Sequence, residues 1–215
     1  ALETFYRSKV DGIVLMATEI TERHLTIINK IQVPVIIVGQ EHEQLHCVIH
    51  NDFHAGYVVG QALGKSQYKN VKFFGVTESD IAVGIDRKSG LIAGLREYSI
   101  EPSISLTSFN YQEALFDVTE ELETQPHFDA IVGATDSIAL AVHKYTSEHH
   151  KKVDKQFIVG FGGNPVTEIV SPSISTVIYH FEYAGEVAMN QLNQMIMQQA
   201  IEKRLTIDVT LAFKY

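Results

Sequence analysis

Short, β-rich apolar runs alternate along this chain with longer stretches of helical period, and few folds accommodate that pattern. Strands are predicted at 10–16, 33–39, 47–51, 71–76, 104–106, 129–135, 157–162, 175–179 and 206–213. Helices are predicted at 21–31, 53–66, 84–98, 111–124, 136–149 and 181–199, each from apolar residues that recur every three or four positions. In 21–31 the apolar face is Leu25, Ile28 and Ile31; in 53–66 it is Ala55, Val58, Val59, Ala62 and Leu63. Val35-Ile36-Ile37-Val38 is apolar at every position rather than at every second one, which marks a strand buried on both faces. Such strands alternating with helices imply an α/β fold with parallel sheets covered on both sides.

No internal repeat, low-complexity tract or long linker interrupts the pattern, so composition draws no boundary between lobes. The net charge of −9 argues against this stretch gripping nucleic acid by itself, since phosphate binding needs clustered Lys and Arg. Cys47 is the single cysteine, which excludes an internal disulfide and gives no support to secretion. No apolar run approaches the roughly 18–20 residues that cross a bilayer, and Ala1 to Arg7 lacks an apolar signal core. A cytoplasmic protein with no membrane partner is the expectation.

In open parallel sheets ligands bind beyond the C-terminal ends of the strands. Those ends carry Thr18, then Asn51 and Asp52, then Asp80 with Arg87 and Lys88 beyond it. Further along come Ser108-Phe109-Asn110, Thr135-Asp136 and Gly162-Gly163-Asn164. Carboxylates and amides pair with adjacent hydroxyls, and aromatic rings cover the apolar face of a sugar, so the inventory suits a polyhydroxylated ligand. The same residue types cap helices, and most of these positions directly precede one.

Catalytic patterns are missing: no Gly-x-Ser-x-Gly elbow, phosphate-binding Walker loop or His-Glu-x-x-His occurs. Gly160-Phe161-Gly162-Gly163-Asn164-Pro165 has the outline of a dinucleotide loop but lacks the third glycine, and a tight turn followed by a helix start explains it. Asp80 and Asp86 offer a general acid–base pair, but nothing in the chain supplies a nucleophile with a partnered base. His50, Asp52 and His54 alternate and would share a face in a strand, but a helical pattern begins at Phe53. His42, His46, His149 and His150 fall in polar loops or at a helix end. Neither a metal site, a cofactor nor an enzyme activity is expected.

Taken in order, the motifs resemble the effector-binding core of LacI-family repressors. The resemblance is carried by Val10-Asp11-Gly12-Ile13-Val14-Leu15-Met16, Pro34-Val35-Ile36-Ile37-Val38-Gly39 and Val48-Ile49-His50-Asn51-Asp52 with Ala55-Gly56. It continues through Val71-Lys72-Phe73-Phe74-Gly75, Arg87-Lys88-Ser89-Gly90-Leu91, Asp129-Ala130-Ile131-Val132 and Asp136-Ser137-Ile138-Ala139. Phe157-Ile158-Val159-Gly160-Phe161, Pro172-Ser173-Ile174-Ser175-Thr176-Val177 and Ala184-Gly185-Glu186-Val187-Ala188 complete it. Gly133-Ala134-Thr135-Asp136-Ser137, Glu78-Ser79-Asp80 and Gly163-Asn164-Pro165 look most like repressors of trehalose and sucrose operons.

The resemblance implies two Rossmann-like lobes of the type I periplasmic-binding-protein fold, joined by three crossings, with a sugar or sugar phosphate held between them. It places the N-terminal lobe at 1–70 and 175–204 and the C-terminal lobe at 71–174 and 205–215. The first strand–helix–strand of the N-terminal lobe and the DNA-binding helix-turn-helix are absent from these residues. Ligand contacts are expected from Thr18, Asn51, Asp80, Arg87, Asn110, Thr135, Asp136 and Asn164, with Arg87 foremost. Leu91 replaces the family's usual aromatic residue, and Gly162 stands where the family has an aspartate. Lys88 beside Arg87 either meets a phosphate or is a solvated helix residue. The implied mechanism is a homodimer in which sugar shifts the affinity for operator DNA. The alternative sharing this fold is a periplasmic-type sugar-binding protein of a transporter, which an upstream secretion signal would favour over an upstream helix-turn-helix.

Overall fold

The computed structural model describes residues 2–125, 127–149 and 157–213; His150, singled out above, lies outside them. In chain order the elements are α1 (Leu2–Ser8), β1 (Ile13–Met16), α2 (Glu22–Ile31), β2 (Val35–Val38), β3 (His46–His50), α3 (Asp52–Lys65) and β4 (Val71–Gly75). A π-helical segment (Ile81–Arg87) leads into α4 (Lys88–Arg96), followed by β5 (Ser103–Leu106), α5 (Tyr111–Thr124), β6 (Ala130–Gly133) and α6 (Asp136–Glu148). Then come β7 (Phe157–Gly162), the single turn α7 (Val166–Ile169), β8 (Ser175–Tyr179), α8 (Phe181–Ile196), β9 (Arg204–Ile207) and β10 (Val209–Ala212).

The chain divides into two compact units. Unit 1 is Ala1–Asn51 with His180–Asp208; unit 2 is Asp52–Tyr179 with Val209–Tyr215. Unit 1 holds a parallel sheet of order β1-β2-β3-β9. The alternation along β2 splits its core in two. Val35 packs with Leu2, Ile13, Ile28 and Ile31, where α1 and α2 lie. Ile36 packs with Val48, Ile207 and the Ala184, Ala188 and Leu192 stripe of α8. Thr21 caps α2 through its side chain, which accepts from the His24 N–H.

Unit 2 holds a sheet of order β10-β8-β7-β6-β4-β5, parallel except for β10, which runs antiparallel to β8. Its core centres on Phe73, Phe74, Ile131, Val132 and Val159, with Leu63, Leu91, Leu95, Val118 and Ile138 from the covering helices. Lys72 is also fully buried here. Its ammonium donates to Ser105 Oγ at 2.8 Å and pairs with Glu121. Helices α3 and α4 meet backbone to backbone. A Cβ on Gly60 would lie 2.5 Å from the Leu91 carbonyl oxygen, and one on Gly94 would lie 2.3 Å from that of Tyr57.

This architecture departs from the expected lobes at each boundary. Residues 52–70 belong to unit 2, because α3 packs against α4 through the glycines that the apolar-stripe reading passed over. Residues 175–179 also belong to unit 2, because β8 lies between β7 and β10. The strand expected at 206–213 is two strands, broken at Asp208: β9 completes the sheet of unit 1 and β10 that of unit 2. The expected boundary at 204/205 therefore falls at 208/209. Helix α1 was not expected, and the helix expected at 84–98 begins earlier, as the π-helical segment.

Candidate functional site

Among the described residues unit 2 has one topological switch point: from β4 the chain goes outward to β5, then returns to the other side of β4 as β6. In parallel sheets the crevice at the C-terminal ends of two such strands is where ligands bind. Here those ends lead into Thr77–Asp80 after β4 and Ala134–Asp136 after β6.

Arg87 occupies this corner and is buried, at 6% exposure. Its Nε donates to Asp52 Oδ1 at 3.0 Å, Nη2 donates to the same oxygen, and Nη1 donates to the Ala134 carbonyl. Tyr179 also donates its hydroxyl to Asp52 Oδ1, at 2.6 Å. The rings of Phe161 and Tyr179 each lie 4.9 Å from the guanidinium carbon. Burial works against the charge of Arg87, but charge interactions with Tyr179, Asp52 and Asp80 and the hydrogen bond to Asp52 outweigh it and raise its pKa. Burial, with Asp52 adding to it, raises the Tyr179 phenol well above its usual value. Arg87, expected as the foremost ligand contact, is thus engaged with protein acceptors on several sides.

Asp136 organises the neighbouring loop. Its Oδ1 accepts from Thr176 Oγ1 at 2.6 Å and its Oδ2 from the Asn164 N–H at 2.7 Å. The Gly163 N–H donates in turn to Thr176 Oγ1. Gly160 and Gly162 leave the room this carboxylate needs: a Cβ on Gly160 would lie 2.3 Å from Oδ1. Gly162 also has φ +144, a backbone conformation that L side chains rarely adopt. Burial raises the pKa of Asp136 despite these hydrogen bonds and the positive charge of Arg87.

Three of the other candidates, Asp80, Asn110 and Thr135, cap helical segments. Asp80 accepts from the Val83 N–H at the start of the π-helical segment. Asn110 accepts from the Gln112 and Glu113 N–H groups, and Thr135 from that of Ile138. Asn164 is exposed, and its side-chain oxygen accepts from the Val166 N–H. Lys88 pairs with Glu78, whose carboxyl that contact holds below its usual range. Asp80, Arg87, Thr135, Asp136 and Asn164 thus share one corner of unit 2. Asn110 follows β5, beside an open depression of about 410 Å³ lined by Val76, Thr77, Leu106, Thr107, Ser108, Phe109 and Asp117. Thr18 and Asn51 belong to unit 1, where Thr18 is exposed just after β1 and the Asn51 N–H donates to the Ile207 carbonyl.

Sequence reasoning set Asp52 at a strand end without giving it a role and missed Tyr179, Phe161 and Thr176; these four hold Arg87 and Asp136 in place. Asp52 carried a signal, as an acid directly following Asn51 at a strand end; Tyr179 and Thr176 lie within a strand and carried none. Among the described residues no group of His, Cys, Asp and Glu is arranged to hold a metal ion, and no helix is long and apolar enough to cross a membrane.

The chain is 69% identical over 214 residues to the sucrose operon repressor of Staphylococcus xylosus, an alignment covering 100% of the chain and 67% of that protein. It is 27% identical over 207 residues to the transcriptional regulator TreR of Salmonella typhimurium, covering 96% of the chain and 64% of that regulator. The chain thus spans about two thirds of the length of these curated relatives. The crystal structure of the transcription regulator CcpA of Lactococcus lactis superposes with a TM-score of 0.88 at 23% identity, over 99% of the chain and 80% of CcpA, and so has the same fold. The model of periplasmic binding proteins and the sugar-binding domain of the LacI family matches residues 1–207. With the sheet order, the strand-end polar residues and these matches together, the chain belongs to the LacI family as an effector-binding domain of the periplasmic-binding-protein type.

Proposed function

We propose that this chain is the sugar-sensing part of a cytoplasmic LacI-type transcriptional repressor that controls sucrose or trehalose utilisation. The observation that carries the reading is the 69% identity, along the full chain, to a sucrose operon repressor. The geometry of unit 2 supports it, since polar side chains and a switch point coincide at the C-terminal ends of the strands. In this reading the ligand is a disaccharide or its phosphate. Asn110, Thr135 and Asn164 offer it polar groups in unit 2, while Asp80, Arg87 and Asp136 shape the corner behind them. Thr18 and Asn51 serve in unit 1. The repressor acts as a homodimer and reaches operator DNA through a helix-turn-helix outside these 215 residues. It works by differential binding, with neither catalysis nor a cofactor; by linkage, sugar and operator weaken one another by the same factor.

The test is a thermal-shift panel of sucrose, trehalose, maltose and their 6-phosphates on the full-length repressor. A sugar at a hundred times its dissociation constant stabilises the native state by about 2.7 kcal/mol, a readable rise in melting temperature. The same sugar should change operator affinity. A panel in which no sugar shifts the melt or the operator affinity overturns the reading.

A further inference from the structure

The network around Arg87 reaches further than a strand-end pocket requires. On one side the guanidinium donates to the Ala134 carbonyl, next to Thr135 and Asp136, and faces the Phe161 ring near the end of β7. On the other side it holds Asp52 and Tyr179. Asp52 is the first residue of unit 2 after the chain enters it, and Tyr179 is the last before the chain leaves. Val209, where the chain returns, lies opposite Tyr179 in the antiparallel register of β8 and β10. Two of the three passages between the units therefore start at members of this buried network, and the third starts opposite one of them in the sheet.

We propose that Arg87, Asp52 and Tyr179 form a lock that couples the strand-end loops of unit 2 to the three passages. Arg87 and Tyr179 act as positioning residues, in addition to any contact with ligand. The proposal rests on the sensor reading for its effector, but the lock itself does not depend on which sugar binds. A buried ion pair tolerates little drift, because a displaced charge loses its partner without gaining water. A ligand that moves the Ala134 carbonyl or the end of β7 thus obliges the guanidinium to follow. Asp52 and Tyr179 move with it, or the charge-assisted bonds break. Such an element has discrete arrangements rather than a continuum, which is what a switch needs.

The test uses the full-length repressor and Tyr179→Phe, which keeps the ring beside the guanidinium and removes only the hydroxyl. Asp52→Asn, which keeps the shape and removes the charge, is the second variant. The first readout is amide hydrogen exchange without sugar. Loss of one bond to a charged group predicts about tenfold faster exchange around residues 50–53, 178–181 and 207–210. Exchange within α5 should be unchanged. The second readout is the release factor, the ratio of operator dissociation constants with and without saturating sucrose or sucrose 6-phosphate, which should fall by about tenfold. A residue with only a structural role would lower stability but leave the release factor alone. Unchanged exchange at the passages, or a release factor equal to that of the wild type, overturns the proposal. If no sugar releases the wild-type repressor, the sensor reading fails, and the exchange arm still decides whether the lock exists.

Discussion

Replacing Gly94 by alanine puts one methyl group into the seam between α3 and α4, where the structure leaves no space for it. The new Cβ would meet the Tyr57 carbonyl oxygen at 2.3 Å and the Gln61 nitrogen at 2.9 Å, both backbone atoms of α3. Backbone has no alternative rotamer, so the helices must part by about 1 Å, a gap at which a dispersion contact forfeits up to about half its well depth. Gly56, Gly60 and Gly90 lie along the same seam and lose their close approaches with it. Overpacking of this kind costs about 1–3 kcal/mol, and a seam of backbone contacts belongs near the upper end. Alanine returns about 1 kcal/mol of helix propensity, leaving a net loss of about 2 kcal/mol. Gly185 in α8 provides the control, since nothing lies within 4 Å of the position its Cβ would take. There the propensity term acts alone and stabilises by up to about 1 kcal/mol. At about 2–4 °C per kcal/mol for a chain of this size, Gly94→Ala should lower the melting temperature by roughly 4–8 °C and Gly185→Ala raise it by roughly 2–4 °C. Thermal melts followed by far-UV circular dichroism read both. A Gly94→Ala variant as stable as the wild type would refute the backbone-to-backbone seam.

The Lys72–Glu121 pair should respond asymmetrically. Glu121→Ala strands a buried ammonium and costs about 3–5 kcal/mol, whereas Lys72→Met leaves a carboxylate that is 27% exposed to water and costs clearly less in urea unfolding. Arg87→Ala should destabilise by about 3–5 kcal/mol because Asp52 is left buried without its cation. Replacing both, Asp52→Leu with Arg87→Met, should lie nearer the wild type than either single change, as a double-mutant cycle would reveal. Asp136 predicts a pH dependence of definite sign. Its folded pKa lies above the unfolded value of about 3.9, so the folded protein holds this proton more tightly, and stability is lost as pH rises from there through the folded pKa. The stability of the wild type relative to Asp136→Asn should therefore fall across that window; a difference that stays flat or grows would contradict the burial of this carboxylate.

Much of the fold was legible because periodicity reports directly on burial. Helix α5 falls where the pattern placed it, at 111–124, and β7 at 157–162, since a fully apolar strand and a one-faced helix leave different traces in a sequence. Periodicity does not say which sheet a helix covers. Helix α3 shows an apolar stripe that would suit either unit, and what assigns it to unit 2 is a row of glycines fitting α4, residues that a hydrophobicity reading discounts. The same limit hid the break at Asp208. Alternation continues across 204–212 although the chain changes sheets there, because each half alternates for its own sheet.

The site was harder to read for a chemical reason. A helix start and a sugar ask for the same groups, an oxygen that accepts and a short side chain to carry it. Asn110, Thr135 and Asp80 meet the first demand in this structure through bonds to N–H groups of the helices they begin. A cap uses only part of a side chain's capacity. The amide of Asn110 spends its oxygen on the helix and keeps an NH₂ that no cap employs, and the Thr135 hydroxyl accepts from Ile138 while its own proton is still to be donated. Capping and ligand binding are therefore compatible at these positions, and the cap fixes the rotamer that a ligand would meet. Arg87 differs in kind. Its donors point into the protein, so whatever it contributes to sensing passes through Asp52, Tyr179 and the Ala134 carbonyl as well as through any sugar.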